Sequence, residues 1–327
     1  MLLRVFKSQQ IFNLFLIPIL GIVFWIKAFL SPETFEFFPG EDQMPLFSFL
    51  DNLVGNSVIT GKIIVFIAEM LLIFLIIRIS TLFGFLRTRS YLPGIIYIIL
   101  VGGFPNLLFF HPVFFGAIFL LFSIYFLFDA YNKNEILENC FITGFILGVG
   151  SLFYFPLLFF IPLLVAGFLI LARMYHWRHF LLPLVGAATP WLITISVCYL
   201  TDSHPQLFAT ISQNTYENNT ISINDPLKYF SFLIMALGLI SGLFLIKYYD
   251  TKKISSRKYL AVFAILLVLT TAMPWVIKSA ALEIVVILQI PVAYFIAHFL
   301  LFFNNRFWTE VVFYLLLISS FIVQFLN

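Results

Sequence analysis

The chain has 327 residues, of which 62% are hydrophobic and 10% are charged, and its mean hydropathy is +1.06. Soluble domains have about 45–50% apolar and about 25% charged residues, so this composition excludes the soluble globular class. The net charge of +3 comes without a basic stripe outside the connecting loops, so nucleic acid is not an expected partner.

Repeated apolar runs of about 20 residues predict an all-α, polytopic transmembrane bundle, because only helices and closed barrels can cross a bilayer. The first run lacks a small-residue cleavage site, so we interpret it as an uncleaved span. We predict about eleven spans in one domain, residues 1–327. They cover residues 11–29, 61–79, 92–109, 112–128, two short spans within 140–172 that break at 151–156, 181–200, 229–246, 260–276, 281–301 and 309–325.

The distribution of basic residues predicts the orientation of these spans. With the N-terminus in the cytoplasm, the outer segments hold only four of the 18 basic residues, Lys27, Lys62, Lys228 and Lys278. Basic residues prefer cytoplasmic loops. We therefore predict a cytoplasmic N-terminus and a periplasmic C-terminus, with outer loops at residues 31–57 and 201–226.

The first outer loop contains an apolar stripe at helical spacing over Pro45–Val54. Ten residues are too few to cross a bilayer, so we predict an interfacial helix there. Glu41 and Asp42 precede its N-terminus. They are candidates for a general base or for ligands of a divalent cation, the one cofactor that the residues suggest. Alternatively, they only complement the helix dipole.

Glu69 lies near the middle of the second span, with no other ionisable residue within six positions. A carboxyl group in the membrane is costly, so we expect it to face a partner or a cavity. It could belong to an ion or substrate pathway, or it could hydrogen-bond across helices as a structural group. Lys62 is two turns away, so a direct pair is not expected.

Lys62, His111, Lys278 and Glu283 fall near the outer ends of spans. The three basic side chains are candidates for binding a lipid phosphate, and snorkelling to the interface is the alternative. Residues 173–179 (RMYHWRH) form an aromatic and basic cluster at the inner face, which we interpret as an interface anchor rather than a metal site. We find no certain metal site and no nucleotide-binding loop, nucleophile elbow, zinc helix or haem-binding motif.

The order of elements is one cytoplasmic-start span, an acidic outer loop with an interfacial helix and two tight hairpins, the second reading FITGFILGVGSLFYFPLLFFIPLL. It resembles the topology of the GT-C superfamily of membrane glycosyltransferases over residues 1–200. The resemblance implies a polyprenyl-phosphate-linked sugar donor and an acidic base or metal ligand in the first outer loop, at Glu41 and Asp42. If the chain is such a transferase, we expect a cavity between that loop and residues 201–226 to hold both substrates.

The segments RTRSYLPGIIY, SLFYFP and HWRHFLLPLVGAATPW, within residues 87–191, are similar to a second group. That group comprises uncharacterised polytopic inner-membrane proteins of Bacteroidota that carry a domain of unknown function. The similarity implies the inner membrane of a Gram-negative cell and supplies no activity.

We therefore expect an inner-membrane protein that acts as a GT-C-like transferase on the periplasmic face. Its expected partners are membrane lipids and a polyprenyl-phosphate carrier. A non-enzymatic scaffold with partners in a cell-envelope complex is the alternative, and a transporter that uses Glu69 is a third class.

Overall fold

The computed structural model describes residues 6, 12–31, 43–55, 57–84, 86, 90–131, 133, 135–172, 176–216, 225–277 and 283–326. These residues form a helical bundle without strands. Short 3-10 helices cover Pro105–Leu107, Phe155–Phe160 and Tyr249–Thr251. The α-helices, in chain order, are α1 (Phe12–Leu30), α2 (Pro45–Val54), α3 (Val58–Phe83), α4 (Leu92–Gly102), α5 (Val113–Asp129), α6 (Leu137–Ser151), α7 (Ile161–Leu171), α8 (Arg178–Leu200), α9 (His204–Tyr216), α10 (Asp225–Lys247), α11 (Ile254–Val276), α12 (Ile284–Phe302) and α13 (Arg306–Leu326).

The lengths of the helices mark a multi-pass membrane protein. Six of them, α3, α8, α10, α11, α12 and α13, are long and apolar enough to cross a bilayer. Shorter apolar stretches occur in α1, α4, α5 and α6, and in the segment that ends with α7. These helices coincide with the eleven apolar runs of the sequence. The count of eleven crossings and their orientation stay predictions.

Local sequence signals explain where the helices begin and end. Ser57 precedes α3 and its Oγ accepts a hydrogen bond from the Thr60 N–H at 3.4 Å. Gly84 follows α3 with φ +59, a left-handed conformation that favours glycine, and its N–H bonds the Ser80 carbonyl. The same logic holds for α2, where Pro45 occupies the first turn and Gly55 ends the helix at φ +63.

The two predicted hairpins are confirmed as pairs of short helices. A 3-10 helix at Pro105–Leu107 separates α4 from α5, and another at Phe155–Phe160 separates α6 from α7. Each begins with or near a proline, which cannot continue the hydrogen bonding of a preceding helix. The predicted break at residues 151–156 therefore lies where α6 ends.

The centre of the bundle is formed by α4 and α12. Every residue of α4 is buried, and α12 is buried along nearly its whole length. Polar side chains connect them: the Tyr97 hydroxyl donates to the Val286 carbonyl at 3.2 Å, and the Gln289 amide donates to the Leu100 carbonyl at 3.1 Å. Ser320 of α13 donates to the Ile99 carbonyl at 2.7 Å.

The most extensive interhelix contact among the described helices joins α6 and α8. The two helices run in the same direction, since Gly144 faces Pro183 and Gly148 faces Ala187. A Cβ at Gly144 would lie 2.0 Å from the Pro183 carbonyl oxygen, so the backbones touch. Small residues at spacing four allow this approach, as in other membrane helix pairs.

The two ends of the bundle differ in chemistry. We call the end with the two 3-10 breaks, at Pro105–Leu107 and Phe155–Phe160, the hairpin end. We call the opposite end, where α8 begins and α10 connects to α11, the basic end. It holds all the cation–ring contacts of the described residues, which are Arg178–Trp177, Lys247–Tyr248, Lys252–Phe302, Arg257–Tyr249 and Lys258–Tyr131.

The segment predicted as the second outer loop, residues 201–226, contains a helix that was not predicted. This helix is α9, over His204–Tyr216. Pro205 lies in its first turn, and Leu207 is buried. The Asn, Ser and Thr content suggested a loop, whereas the short apolar side of the helix is what fixes it to the bundle.

Candidate functional site

The hairpin end brings together parts of the chain that are far apart in sequence. The Leu46 N–H of α2 donates to the Leu152 carbonyl, at the end of α6, at 3.2 Å. The Asn214 amide of α9 donates to the Met44 sulfur, just before α2, at 3.7 Å. The start of α2 and the later part of α9 therefore meet beside the end of α6.

Phe47 anchors α2 on the hairpin tips. Its ring is fully buried, with its centroid 4.8 Å from that of Phe110 and 6.2 Å from that of Phe115. On the outward side of the same helix, Phe49 and Leu53 remain 64% and 72% exposed. The predicted helix over Pro45–Val54 is confirmed, and its two apolar sides suit a helix that rests on protein and faces the interface.

The two acids predicted to do chemistry, Glu41 and Asp42, lie outside the described residues. So does Lys278, one of the three candidates for the lipid phosphate. The first described side chain after the acids is Gln43, whose amide donates to the Asp51 carboxylate at 2.9 Å. Asp51 is thereby bonded to the start of its own helix.

His111 lies at the tip of the first hairpin and is fully buried. Its Nδ1 accepts the Val113 N–H at 3.2 Å, so the neutral ring carries its proton on Nε2. Nε2 is 3.9 Å from Oε2 of Glu283, which is also fully buried and directly precedes α12. The ring of Tyr154, from the second hairpin, is 6.4 Å away.

This arrangement joins both hairpin tips and the start of α12 around one imidazole. A carboxylate beside Nε2 orients the ring. The pair therefore places two polar side chains next to each other in a region shielded from water. The sequence located both residues near an outer end, but it did not predict that they face each other.

Lys62 is buried at the start of α3 and binds the end of α1. Its Nζ lies 2.7 Å from the Ala28 carbonyl and 2.7 Å from the Ser31 carbonyl, with the Ser31 hydroxyl at 3.3 Å. A cation is favourable at a helix C-terminus, where carbonyls lack helical partners. Lys62 therefore has a structural task, and its role toward a lipid phosphate stays a prediction.

Lys27 has a similar task in the same region. Its Nζ donates to the Gln324 carbonyl near the end of α13 at 2.9 Å, and the Gln324 amide in turn donates to the Phe24 carbonyl. The hairpin end thus uses two lysines to close two helix ends. Neither partner set was evident from the sequence, because the bonded residues are 34 and 297 positions apart.

Glu69 lies deeper in the bundle and is not part of the hairpin-end cluster. It is seven residues from Lys62, about 10 Å along α3. The Trp25 indole N–H of α1 donates to its Oε2 at 2.5 Å, and both side chains are buried. This is the bond across helices that one interpretation of the sequence expected, although Trp25 itself was not predicted as the partner.

The predicted residues fall into two groups in space. Lys62 and His111 lie on neighbouring elements, since a Cβ at Gly61 would be 3.1 Å from the Phe110 side chain. Glu69 is separate from both. The described residues contain no group of three or more His, Cys, Asp or Glu side chains that could hold a metal ion.

A second polar pair lies at the basic end. Nζ of Lys252 is 2.5 Å from Nε2 of His298 and 5.1 Å from the centroid of the Phe302 ring. Burial lowers the pKa of Lys252 to about 8, because an ammonium loses hydration against apolar neighbours. This pair was not predicted, because it depends on how α12 meets the connection from α10 to α11.

Comparison of the chain with protein-family models, with curated proteins and with solved structures gave no match.

Proposed function

We propose that the chain is a membrane transferase of GT-C-like architecture that takes a sugar from a polyprenyl-phosphate carrier at the hairpin end. The observation that carries the proposal is the meeting of the two outer loops, through Met44 and Asn214, beside the hairpin tips. A transferase that uses a lipid-linked donor needs a site at the membrane surface. At such a site, a membrane-facing helix lies next to a polar group that is shielded from water. The His111–Glu283 pair supplies that group.

In this proposal Glu41 or Asp42 is the general base or the ligand of a divalent cation. Lys62, His111 and Lys278 are the candidates for the lipid phosphate. Lys62 would need to exchange its contact with the Ser31 hydroxyl for a phosphate oxygen, because its other two described bonds close α1. His111 would need to turn its Nε2–H from Glu283 to a phosphate oxygen, because its Nδ1 accepts the Val113 N–H.

The proposed setting is the inner membrane of a bacterium of the Bacteroidota type, crossed about eleven times, with the hairpin end in the periplasm. The concentration of cation–ring contacts at the basic end supports this orientation. Basic residues are enriched at the cytoplasmic membrane face, whereas interfacial aromatic rings occur at both faces, so the support comes from the basic residues.

Substitution of the two acids tests catalysis. We expect Glu41→Gln and Asp42→Asn to abolish the cellular function that depends on this chain, at unchanged protein levels in the membrane. Asp51→Asn is the matched control, because its amide oxygen can still accept the bond from Gln43. Full function of both acid variants would refute the transferase.

Binding of the carrier is tested separately. Purified protein in nanodiscs is titrated with a short-chain polyprenyl phosphate, and thermal unfolding is followed. The lipid should raise the unfolding temperature of the wild type and of Asp51→Asn, and should raise that of His111→Ala less. An equal effect of the non-phosphorylated polyprenol would argue against a phosphate site.

The second candidate is a non-enzymatic scaffold of a cell-envelope complex. It is favoured by the engagement of Lys27, Lys62 and Glu69 in bonds between helices. Stoichiometric co-purification with other envelope proteins, with Glu41 and Asp42 both dispensable, would support it. A transporter requires loss of function in Glu69→Gln alone, and the bond of that carboxyl group to Trp25 favours a structural role instead.

A further inference from the structure

The contact between Lys252 and His298 at the basic end has no part in the proposed transfer reaction. Lys252 lies in the connection between α10 and α11, outside the long apolar helices, and is half-buried. Its Nζ is 2.5 Å from Nε2 of His298, which lies near the end of α12 and is 1% exposed. Two bases in direct contact repel each other when both are protonated, so the contact favours a neutral form of at least one of them.

The surroundings of His298 favour the neutral imidazole. Its Nδ1 is buried and has no hydrogen-bond partner among the described residues. An imidazolium would need acceptors for both of its N–H groups, and Nε2 faces only the amine. The rings of Phe244 and Phe302 lie against the imidazole, with centroids 6.0 and 4.7 Å away, and supply no such acceptor. The neutral ring can therefore present an unprotonated Nε2 to Lys252.

No carboxylate among the described residues pairs with Lys252. Asp250, two residues earlier, contacts the Arg257 guanidinium at 3.3 Å, and its side chain is 94% exposed. Arg257 donates its Nε–H to the backbone carbonyl of Lys252 at 3.1 Å, which places a further positive charge near the amine. The centroid of the Phe302 ring is 5.1 Å from Nζ, and a ring attracts a cation less strongly than a carboxylate does. The surroundings therefore lack the acidic partner that usually keeps a lysine charged.

The amine of Lys252 is available in its neutral form near physiological pH. Burial lowers its pKa from 10.5 to about 8, because the ammonium loses hydration. At pH 8 about half of the amine is then neutral, against about 0.3% for a lysine that keeps the ordinary pKa of 10.5. A neutral lysine is a nucleophile, and desolvation is one way in which proteins activate it. Through one N–H the amine can donate to Nε2 of His298, and it keeps its lone pair for attack.

We propose that Lys252 is a site of covalent modification by electrophilic acyl donors of the acyl phosphate class, with His298 as the base. The amine attacks the carbonyl carbon of the donor, and Nε2 of His298 takes one proton from the amine. A C–N bond forms and the C–O bond to phosphate breaks. The phosphate leaves with the electron pair and then takes the proton from the imidazolium. The product is a neutral amide at Lys252, and the proposal holds whether or not the chain is a transferase.

Acetylation of the detergent-purified full chain by millimolar acetyl phosphate at pH 8 tests the site. Mass spectrometry of peptides follows each lysine separately. Lys253 is the adjacent, exposed control. Lys258 is half-buried like Lys252 and lies 5.4 Å from the centroid of the Tyr131 ring, without a histidine contact among the described residues. We expect Lys252 to react about tenfold faster than either control, because its larger neutral fraction outweighs the lower nucleophilicity of a weaker base.

His298→Gln separates the role of the base from that of burial. Glutamine can accept a hydrogen bond from the amine but cannot take its proton. The acetylation rate of Lys252 should therefore fall by at least about tenfold, with Lys253 and Lys258 unchanged in the same sample. The pH profile of the wild type needs no variant. The rate at Lys252 should level off above pH 8, whereas the rates at the two control lysines should keep rising.

Each outcome decides the proposal. Selective acetylation of Lys252, slowed in His298→Gln and levelling off above pH 8, supports it. Equal rates at Lys252 and Lys253 overturn it, and so does an equal rate at Lys258, which would assign the reactivity to the neighbouring ring. An undiminished rate in folded His298→Gln would contradict the role of the imidazole. If that variant does not fold, the three wild-type rates and their pH profiles decide, and a rate at Lys252 that rises steadily to pH 10 overturns the proposal.

Discussion

The contact between α6 and α8 predicts that a single methyl group at Gly144 destabilises the bundle. The Cβ of Gly144→Ala would lie 2.0 Å from the Pro183 carbonyl oxygen and 2.7 Å from its carbonyl carbon. Real Cβ atoms essentially never come closer than 3.0 Å to another heavy atom. The obstacle is backbone, so no side-chain rotation can relieve it, and the helices must separate.

Separation of α6 and α8 affects a long interface. A Cβ added at Gly148 or at Gly186 would likewise lie 2.5 or 2.3 Å from a backbone carbonyl oxygen of the opposite helix. The Trp191 indole N–H, which donates to the Ser151 hydroxyl at 2.7 Å, would also lose its geometry. Overpacking in a well-packed interior costs about 1–3 kcal/mol. We expect Gly144→Ala to fall in that range.

Thermal unfolding of the purified protein in detergent measures this effect. For a large chain, 1 kcal/mol corresponds to about 2–4 °C in Tm, so we expect Gly144→Ala to lower Tm by at least 2 °C. Gly242→Ala in α10 is the control, because a Cβ there meets nothing within 4 Å. Alanine in an open helix position stabilises by about 0.5–1 kcal/mol relative to glycine.

The conclusion depends on the difference in Tm between Gly144→Ala and Gly242→Ala. If Gly144→Ala unfolds at the same temperature as Gly242→Ala, the backbone contact between α6 and α8 is not as close as the structure has it. In that case the small residues of the two helices would need another explanation.

Three further predictions follow from polar side chains. Glu69→Leu leaves the buried Trp25 N–H without its acceptor and should lower the free energy of unfolding by about 1–3 kcal/mol. Glu69→Gln keeps an acceptor and should lower it less, and Tm measurements distinguish the two variants. Lys62→Met opens the end of α1 and should lower Tm more than Lys253→Met, an exposed lysine. Lys252 has its pKa lowered from 10.5 to about 8, so the unfolded chain binds more protons between these values. The stability of the wild type relative to Lys252→Met should therefore rise as the pH increases from 8 to 10.5.

Each of these has an outcome that contradicts it. Equal losses in Glu69→Leu and Glu69→Gln would mean that the indole bond contributes nothing. An equal Tm for Lys62→Met and Lys253→Met would show that the bonds of Lys62 to the end of α1 do not stabilise the protein. A flat difference between wild type and Lys252→Met across pH 8–10.5 would show that Lys252 keeps its ordinary pKa.

The periodicity of apolar residues and the positions of proline and glycine predicted much of the fold. The helix over Pro45–Val54 has the predicted bounds, because a proline, an apolar stripe and a glycine all lie within eleven residues. The two hairpins were readable from their prolines for the same reason. Where a helix is decided by its own residues, the sequence was sufficient.

Contacts between distant helices were beyond the same reasoning. Glu69 was expected to have a partner, but many residues could have been that partner. The relative register of α1 and α3 selects Trp25. Lys62 binds backbone carbonyl groups, which every residue has, so no residue type in the sequence identifies them as its partners. The helix at His204–Tyr216 was missed because its polar residues outnumber its apolar ones, and its anchoring depends on Leu207 and Asn214 meeting other elements.

The bonds that close α4 have a consequence for the order in which the protein is made. The Leu100 and Ile99 carbonyls accept from Gln289 and Ser320, which follow 189 and 221 residues later in the chain. At about 5–20 residues per second, a ribosome needs roughly 10–45 s to reach them. A nascent chain that stops before α12 thus has its innermost helix in the membrane without those donors. The last helices to be synthesised complete the centre of the bundle. We therefore expect the quality-control system of the cell to recognise the chain as incompletely folded until these helices have been made.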